Sequence, residues 1–349
     1  MPAAMPVINV LVVDDSLLFR VKMESALNED PAIHVIGTAA SANEAMQKII
    51  QLRPDVLTLD VEMPQMNGID FLKMLLPRNP LPVLVISSRA DFALDAMEAG
   101  ALDFEKKPVV NAPGDLNQFF DTIRSKIKAI HHSKVRGARV LSAPQARIFS
   151  HPPRFTNARA VVAIGASTGG TEAIIQVVKD LPANTPGVVI VQHMPAGFTK
   201  MYAERLDKIC HMSAREAQDG DRVETGLILL GAGDFHLSLK KDARGGYYVR
   251  SQKGEKVSGH CPSVDVLFQS FAEEACPSCI GVILTGMGAD GARGITTMHD
   301  KGAYTIGQDE DSCVVYGMPM EAYKRGGISR QLPLSQIGQE ILNQLGRLR

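Results

Sequence analysis

No apolar run in the 349-residue sequence is long enough to cross a bilayer, which takes about 18 residues, so no transmembrane helix is expected. An export signal is missing too. The opening "MPAAMPVINVLVVDDS" has no basic segment and runs straight into two aspartates, so it reads as a first strand. A cytoplasmic location is the expectation, with no membrane insertion. Nor is there an excess of charge of either sign: 37 Lys and Arg stand against 38 Asp and Glu, a net charge of −1. Nothing global therefore draws the chain to nucleic acid or to an acidic membrane. No helix-turn-helix signature or basic face points to DNA binding. Cysteine is scarce, with five residues: Cys210, Cys261, Cys276, Cys279 and Cys313. An odd number without an export signal argues for free thiols. Cys276-Pro-Ser-Cys279 has metal or redox spacing, but no second pair or nearby His accompanies it, and a structural role is the simpler reading.

The composition is globular, with 45% hydrophobic and 21% charged residues, and the length suits two domains. Up to about residue 130, strand and helix signals alternate. "VINVLVV", "IHVIGTA", "DVLTLD", "PVLVIS" and "ALDFEKK" are each followed by a helical pattern. Five such units predict a parallel sheet with helices on both faces, and the strand runs lack polar alternation, as doubly buried strands should. Residues 131–157 change character. They carry Lys134, Arg136, Arg139, Arg147 and Arg154 with no Asp or Glu, and they read as a linker. From residue 158 to 347 the α/β signals return in "AVVAIG", "GVVIVQH" and "CIGVILTG". Between them "GLILLGAGDFHLSLKKDARGGYYVRS" reads as antiparallel strands with a Gly-Gly turn, so this half is expected to hold a mixed sheet with helices.

In a parallel α/β sheet, ligands bind beyond the carboxyl ends of the strands. Two strands of the first half end in acid, at Asp14-Asp15 and at Asp60. Crowded carboxylates repel, and a hard divalent cation such as Mg²⁺ removes that cost. The fourth strand ends in Ser87-Ser88, a hydroxyl for a phosphoryl oxygen, and the fifth leads to Lys106-Lys107-Pro108. A carboxylate can accept a phosphoryl group covalently. Any one aspartate could merely cap a helix, but acid, acid, hydroxyl and lysine at four strand ends form a set. These residues alone do not choose between Asp60 and Asp14 as acceptor.

"VDDS", "LDVEMPQMNG", "VISS" and "KKP" together resemble the receiver domain of bacterial two-component response regulators over residues 7–130. The resemblance implies a flavodoxin-like (βα)5 fold, with Asp60 as the phosphorylated residue. It implies an Mg²⁺ site of Asp14, Asp15, Asp60 and the backbone carbonyl of Glu62. Ser87 is then the switch hydroxyl, Lys107 contacts the phosphoryl group, and Lys106 has no assigned role. The implied phosphodonor is a chemotaxis histidine kinase.

In the second half, "GASTGG" at 165–170 fits G-x-S-x-G, the strand-turn-helix elbow that exposes a serine. It does not fit G-x-G-x-x-G or a P-loop. The pentapeptide alone fits a helix start capped by Ser167 or Thr168 equally well. A serine needs a base. Among His193, His211, His236, His260 and His299, only His193 ends a strand, in "GVVIVQHMP"; His236 lies in a strand-like run, His260 in a polar loop and His299 in a helical pattern. A third strand ends at Thr285, and its glycine-rich turn carries Asp290, a carboxylate able to fix the imidazole tautomer. Gly286 and Gly288 would let backbone amides approach an oxyanion. The order Ser167, His193, Asp290 is not that of the α/β-hydrolases. An assignment that keeps their order, with Asp265 as acid and His299 as base, ranks lower because neither residue ends a strand.

"IGASTGG", "VQHMP", "HCPSVDVLF" and "LTGMGADG" are very similar to the catalytic domain of the chemotaxis protein-glutamate methylesterases, over residues 158–347. The resemblance implies Ser167 as nucleophile, His193 as base and Asp290 as its orienter. Thr168 and the backbone amide of Met287 support the site. The implied substrates are glutamate γ-methyl esters on methyl-accepting chemotaxis receptors, often with deamidation of receptor glutamines. No cofactor is implied for the esterase step. The unphosphorylated receiver is expected to restrain the esterase and phosphorylation at Asp60 to release it.

Overall fold

The computed structural model of the protein describes residues 7–89, 91–108, 115–131, 133, 155, 157 and 159–348. Most of the expected linker, including its five basic residues, lies outside the described residues. The chain divides into two compact units, residues 1–142 and 143–349.

In the first unit, strands β1 (Ile8–Val13), β2 (Ile33–Ala39), β3 (Val56–Leu59), β4 (Val83–Ser87) and β5 (Asp103–Lys106) alternate with helices. The helices are α1 (Leu17–Asn28), α2 (Ala42–Leu52), α3 (Gly68–Leu75), α4 (Asp91–Glu98) and α5 (Asp115–His131). The strands are all parallel, in the order β2-β1-β3-β4-β5. β3 and β4 are buried at every position, which is why their sequences show no polar alternation. Local chemistry sets the helix starts. The Ser41 hydroxyl accepts from the Glu44 amide at 3.3 Å, while the Glu44 carboxylate accepts from the Ala40 amide at 2.7 Å, a reciprocal cap. The strand order reverses between β1 and β3, so the loops after them diverge and leave a crevice at their carboxyl ends.

The second unit runs β6 (Val161–Ala166), α6 (Gly170–Val178), β7 (Val188–Gln192), α7 (Phe198–Ile209), β8 (Ser213–Glu216), β9 (Arg222–Val223) and β10 (Leu227–Leu230). It continues with β11 (His236–Lys241), β12 (Tyr247–Gln252), α8 (Val264–Glu274), β13 (Cys279–Ile283) and α9 (Ala292–Asp300). Then come β14 (Tyr304–Gln308), α10 (Met318–Lys324), β15 (Arg330–Leu332) and α11 (Leu334–Leu345). The expected mixed sheet resolves into two sheets. Seven strands, β15-β14-β13-β6-β7-β10-β8, are wholly parallel, and β11-β12-β9 form a separate antiparallel sheet. "LILL" of β10 therefore does not open an antiparallel set. It is buried at all four positions, as suits a strand covered on both faces, whereas β11 alternates in burial. Cys276 and Cys279 are free thiols at the junction of α8 and β13, with their sulfurs 3.1 Å apart. No further metal-ligating side chain joins them among the described residues.

The core of this unit is built around α8, whose Val264, Leu267, Phe268, Phe271 and Ala272 are buried. Each large apolar side chain so covered is worth about 1.5–3 kcal/mol. The helix lies so close to β6 that Gly165 has no room for a side chain. A Cβ there would run into Val264 and stand 3.0 Å from the Phe268 ring. Gly169, with φ +75°, makes the left-handed turn into α6. Packing thus excludes a side chain at both glycines of G-x-S-x-G, against α8 at Gly165 and against Val314 at Gly169, and the backbone conformation adds a second reason at Gly169. Gly165→Ala is expected to destabilise this unit by about 1–3 kcal/mol through overpacking. Thermal unfolding checks it, at about 2–4 °C per kcal/mol for a unit of this size; an unchanged curve would contradict the close approach of α8.

Candidate functional site

The crevice of the first unit gathers the acids. Asp14 directly follows β1 and Asp60 directly follows β3, and both are buried at 2% exposure. Asp15 is exposed, and its carboxylate, with those of Asp14 and Asp60, offers oxygens that all lie within 4.8 Å of one another. Lys107 Nζ stands 2.7 Å from Asp14 Oδ2 and 2.5 Å from Asp60 Oδ2. One ammonium thus serves two buried carboxylates. Burial, reinforced by the charge of Asp14, pushes the Asp60 carboxyl up to about 6 in spite of Lys107. A cluster of hard oxygen donors with uncompensated negative charge fits Mg²⁺. The Glu62 amide donates to Asp60 Oδ1 at 3.2 Å, which puts that peptide beside the acceptor carboxylate. The Glu62 side chain turns outward to accept from Ser88 Oγ. Ser87 ends β4 and is buried, and its hydroxyl accepts from the Arg89 amide at 3.2 Å. Lys106 pairs with Ser87 across the sheet and is exposed, away from the acids that Lys107 holds.

In the second unit, β13, β6 and β7 are adjacent, so the turns after them share one edge. Ser167 follows β6 and His193 follows β7, in step with the pairing of Ala166 with Gln192. The Ser167 amide donates to the Thr285 carbonyl at 3.0 Å, and the His193 amide to the Ala166 carbonyl at 3.1 Å. Gln192 Nε2 donates to the Ser167 carbonyl at 2.9 Å and to that of His193 at 3.2 Å. Gly286 packs directly on the serine, since a Cβ there would stand 2.8 Å from Ser167 Cβ. The turn bearing Met287 is therefore brought against Ser167. Thr168 is buried, and its carbonyl accepts from the Thr285 hydroxyl at 3.0 Å.

Asp290 is held more tightly than any group around it. Its Oδ1 accepts from the Ser263 hydroxyl at 2.7 Å and from the amides of Asp265 and Gly291 at 3.1 Å. Its Oδ2 accepts from the Val264 amide at 2.7 Å and faces His193 Nε2 at 2.8 Å. The carboxylate thus sits on the N-terminus of α8, where free amides and the helix dipole favour negative charge. Burial alone would raise the Asp290 carboxyl, but His193, Ser263 and the Val264 amide together hold it below the usual value. An ionised carboxylate only accepts, so Nε2 of His193 carries the proton and Nδ1 carries the lone pair. Nδ1 is buried and makes no hydrogen bond within the protein, so the Ser167 hydroxyl is not hydrogen-bonded to the ring here. The arrangement leaves one imidazole nitrogen unpartnered, on a strand next to that of a serine whose backbone is fixed.

Of the remaining candidate histidines, one other is brought against His193. His211 is exposed, His236 bonds the Glu255 carbonyl through Nε2 at 2.8 Å and accepts from the Ser263 amide through Nδ1 at 3.3 Å, and His299 on α9 contacts Ser329 and Thr305. Asp265 accepts from Arg293 Nε at 3.1 Å and the Gly294 amide at 2.9 Å. The Asp265–His299 alternative is not assembled. The histidine brought against His193 is His260, whose ring stacks on that of His193 with centroids 3.7 Å apart and planes within 6°. Sequence reasoning placed it in a polar loop, and it also passed over Ser263. The only available signal for Ser263 was its position as a cap ahead of the apolar run "VDVLF". His193, His260 and Asp290 offer donor atoms within 4.8 Å of one another. Face-to-face rings hold their lone pairs in separate parallel planes, however, so a single metal cannot lie in both.

The sequence model of the CheB methylesterase family matches residues 162–341, and that of the response regulator receiver domain matches residues 10–118. A protein-glutamate methylesterase/protein-glutamine glutaminase 2 of Syntrophomonas wolfei is 50% identical over 341 residues, covering 97% of this chain and 98% of its own. A protein-glutamate methylesterase/protein-glutamine glutaminase of Agrobacterium fabrum is 48% identical over 343 residues, covering 95% of each chain. The crystal structure of the Thermotoga maritima CheB methylesterase catalytic domain superposes with a TM-score of 0.51 at 38% identity, over 53% of this chain and 97% of that one. These matches together span nearly the whole length, and the chain belongs to the CheB methylesterase family, with a response regulator receiver domain in its N-terminal unit.

Proposed function

We propose that this protein hydrolyses glutamate γ-methyl esters on methyl-accepting chemotaxis receptors and deamidates receptor glutamines, under the control of phosphorylation at Asp60. The names of its whole-length relatives support both activities. The observation that carries the chemistry is the His193–Asp290 pair at 2.8 Å, locked by α8, with Nδ1 left without a partner on the strand next to that of Ser167.

Ser167 Oγ attacks the ester carbonyl carbon as its proton passes to His193 Nδ1. The imidazolium formed is stabilised by Asp290, which stays ionised throughout. The oxygen of the tetrahedral intermediate is held by the amides of Thr168 and Met287. The C–O bond then breaks, and methanol leaves with the proton from His193. Water attacks the acyl-enzyme, giving up its proton to the same nitrogen, and glutamate is released as Ser167 recovers its hydrogen. With glutamine the leaving group is ammonia and the steps are otherwise the same. No metal or organic cofactor is required for them.

In the receiver, Asp14, Asp15, Asp60 and the Glu62 carbonyl would hold Mg²⁺, which would supply the positive charge that phosphoryl transfer to a carboxylate needs. Asp60 accepts the group, Lys107 and Ser87 contact its oxygens, and a chemotaxis histidine kinase is the donor. Among the described residues no helix is long and apolar enough to cross a membrane, so the esterase meets its receptors from outside the bilayer core.

Methanol release from methylated receptor membranes tests the esterase. Ser167→Ala is expected to lower kcat by about 10⁴-fold or more, and Asp290→Asn by about 10³–10⁴-fold through the wrong tautomer. A Ser167→Ala protein that kept most of its activity would end the proposal. For the switch, labelled phosphoryl transfer from a small phosphodonor should require Mg²⁺, cease with EDTA and vanish in Asp60→Asn. The same variant should show no rise in methanol release with phosphodonor, and a rise equal to that of the unaltered protein would place control elsewhere.

A further inference from the structure

His260 is a second imidazole at the site that the triad does not use. We propose that it is a positioning residue of the esterase: its neutral ring lies face to face on His193, holds that imidazole with Nδ1 toward Ser167 and Nε2 on Asp290, and stabilises the charge His193 gains. The inference rests on the assignment of His193 as the base.

The stack is built by the loop. His260 and Val257 exchange backbone hydrogen bonds at 3.0 Å in both directions, closing a tight turn over Ser258 and Gly259. Both turn residues have positive φ, 53° and 84°, the type I′ geometry of a two-residue hairpin. His260 Nδ1 lies 2.9 Å from the Ser258 carbonyl, which can only accept, so Nδ1 bears the hydrogen and the ring is oriented. Three residues later the same segment supplies Ser263, which caps α8 and binds Asp290. One short stretch therefore grips both members of the His193–Asp290 pair.

Burial, with the positive groups facing this ring, favours its neutral form. Burial and the neighbouring His193, with a smaller push from Lys256, hold the His260 imidazole down to about 4, against Asp290 and the Ser258 carbonyl. At neutral pH it therefore does not repel a protonated His193. It offers a π face to the imidazolium, an attraction that grows as the proton moves. It also covers one face of the base and bars the ring from rotating, which would break the bond to Asp290.

The test uses the full chain with phosphodonor and methylated receptor membranes, comparing His260→Phe, His260→Gln and His260→Ala. Phe keeps a face for His193 but cannot donate to the Ser258 carbonyl, whereas Gln can donate but has no aromatic face. Ala and Gln are expected to lower kcat about tenfold with KM within about twofold, and Phe to stay within about threefold of the unaltered protein. Gln as active as the unaltered protein, or Phe as poor as Ala, overturns the proposal. The unaltered protein provides a test independent of variant folding. Imidazole ¹⁵N shifts should keep His260 neutral and Nδ1-protonated down to about pH 5, and titration at the ordinary value of about 6.5 also overturns it. Ser167→Ala run in parallel separates the two readings: if it is inactive while His260→Ala is not, only the role of His260 fails.

Discussion

The second unit depends on the capture of one carboxylate by one helix end. Asp290 takes three donors from the first turn of α8 and its cap, through Ser263, Val264 and Asp265. This solves two problems at once. The helix has orphan amides that must find acceptors, and a buried carboxylate must find donors. Because α8 also buries Val264, Leu267, Phe268, Phe271 and Ala272 in the core, the position of the carboxylate is tied to packing rather than to a flexible side chain. The imidazole that touches it inherits that rigidity. The closeness that makes this possible also excludes a side chain at Gly165, so the first glycine of the elbow and the acid of the triad answer to the same helix.

The two units use buried aspartates in opposite ways on similar sheets. Asp290 is surrounded by donors, and its carboxyl lies below the ordinary value. Asp60 is surrounded by other acids with one lysine between them, and burial lifts it to about 6. The first arrangement makes a permanent anion, fit to orient a base and steady an imidazolium. The second leaves negative charge unsatisfied, so it suits a divalent cation and a group whose arrival changes the charge. Burial is common to both; what separates them is the count of donors.

Much of this was legible in the sequence because parallel sheets place function at strand ends. Apolar runs closing in Asp60, Ser167 and His193, and a fourth whose glycine-rich turn carries Asp290, could be seen without a structure. The five-stranded sheet followed from period alone. What escaped depends on contacts between segments distant in sequence. Nothing local says that "LILL" of β10 joins the parallel sheet and not the hairpin that follows it, although its lack of alternation is the trace of that burial. Nothing local says that Ser263 bonds an acid 27 residues away. His260 looked like a loop residue because it is one, and only folding lays its ring on His193. Gly165 fitted the elbow pattern, but its cause, the ridge of Val264 and Phe268, lies in another helix.

The choice of ring nitrogen follows from strand order. With β6 between β13 and β7, the serine stands in the middle, the histidine on one side and the turn bearing Asp290 beyond the other. Neighbouring strands lie about 5 Å apart, so His193 must reach across the serine's own strand to meet the acid. The nitrogen farther along the side chain, Nε2, makes that reach, and Nδ1, nearer the backbone, is left without a hydrogen-bond partner in the protein. Had the acid followed the strand next to β7, the nearer nitrogen could have served it and the farther one the serine. Under the proposed assignment of His193 as base, the use of Nδ1 is thus a consequence of sheet order, with the serine's strand lying between those of the histidine and the acid.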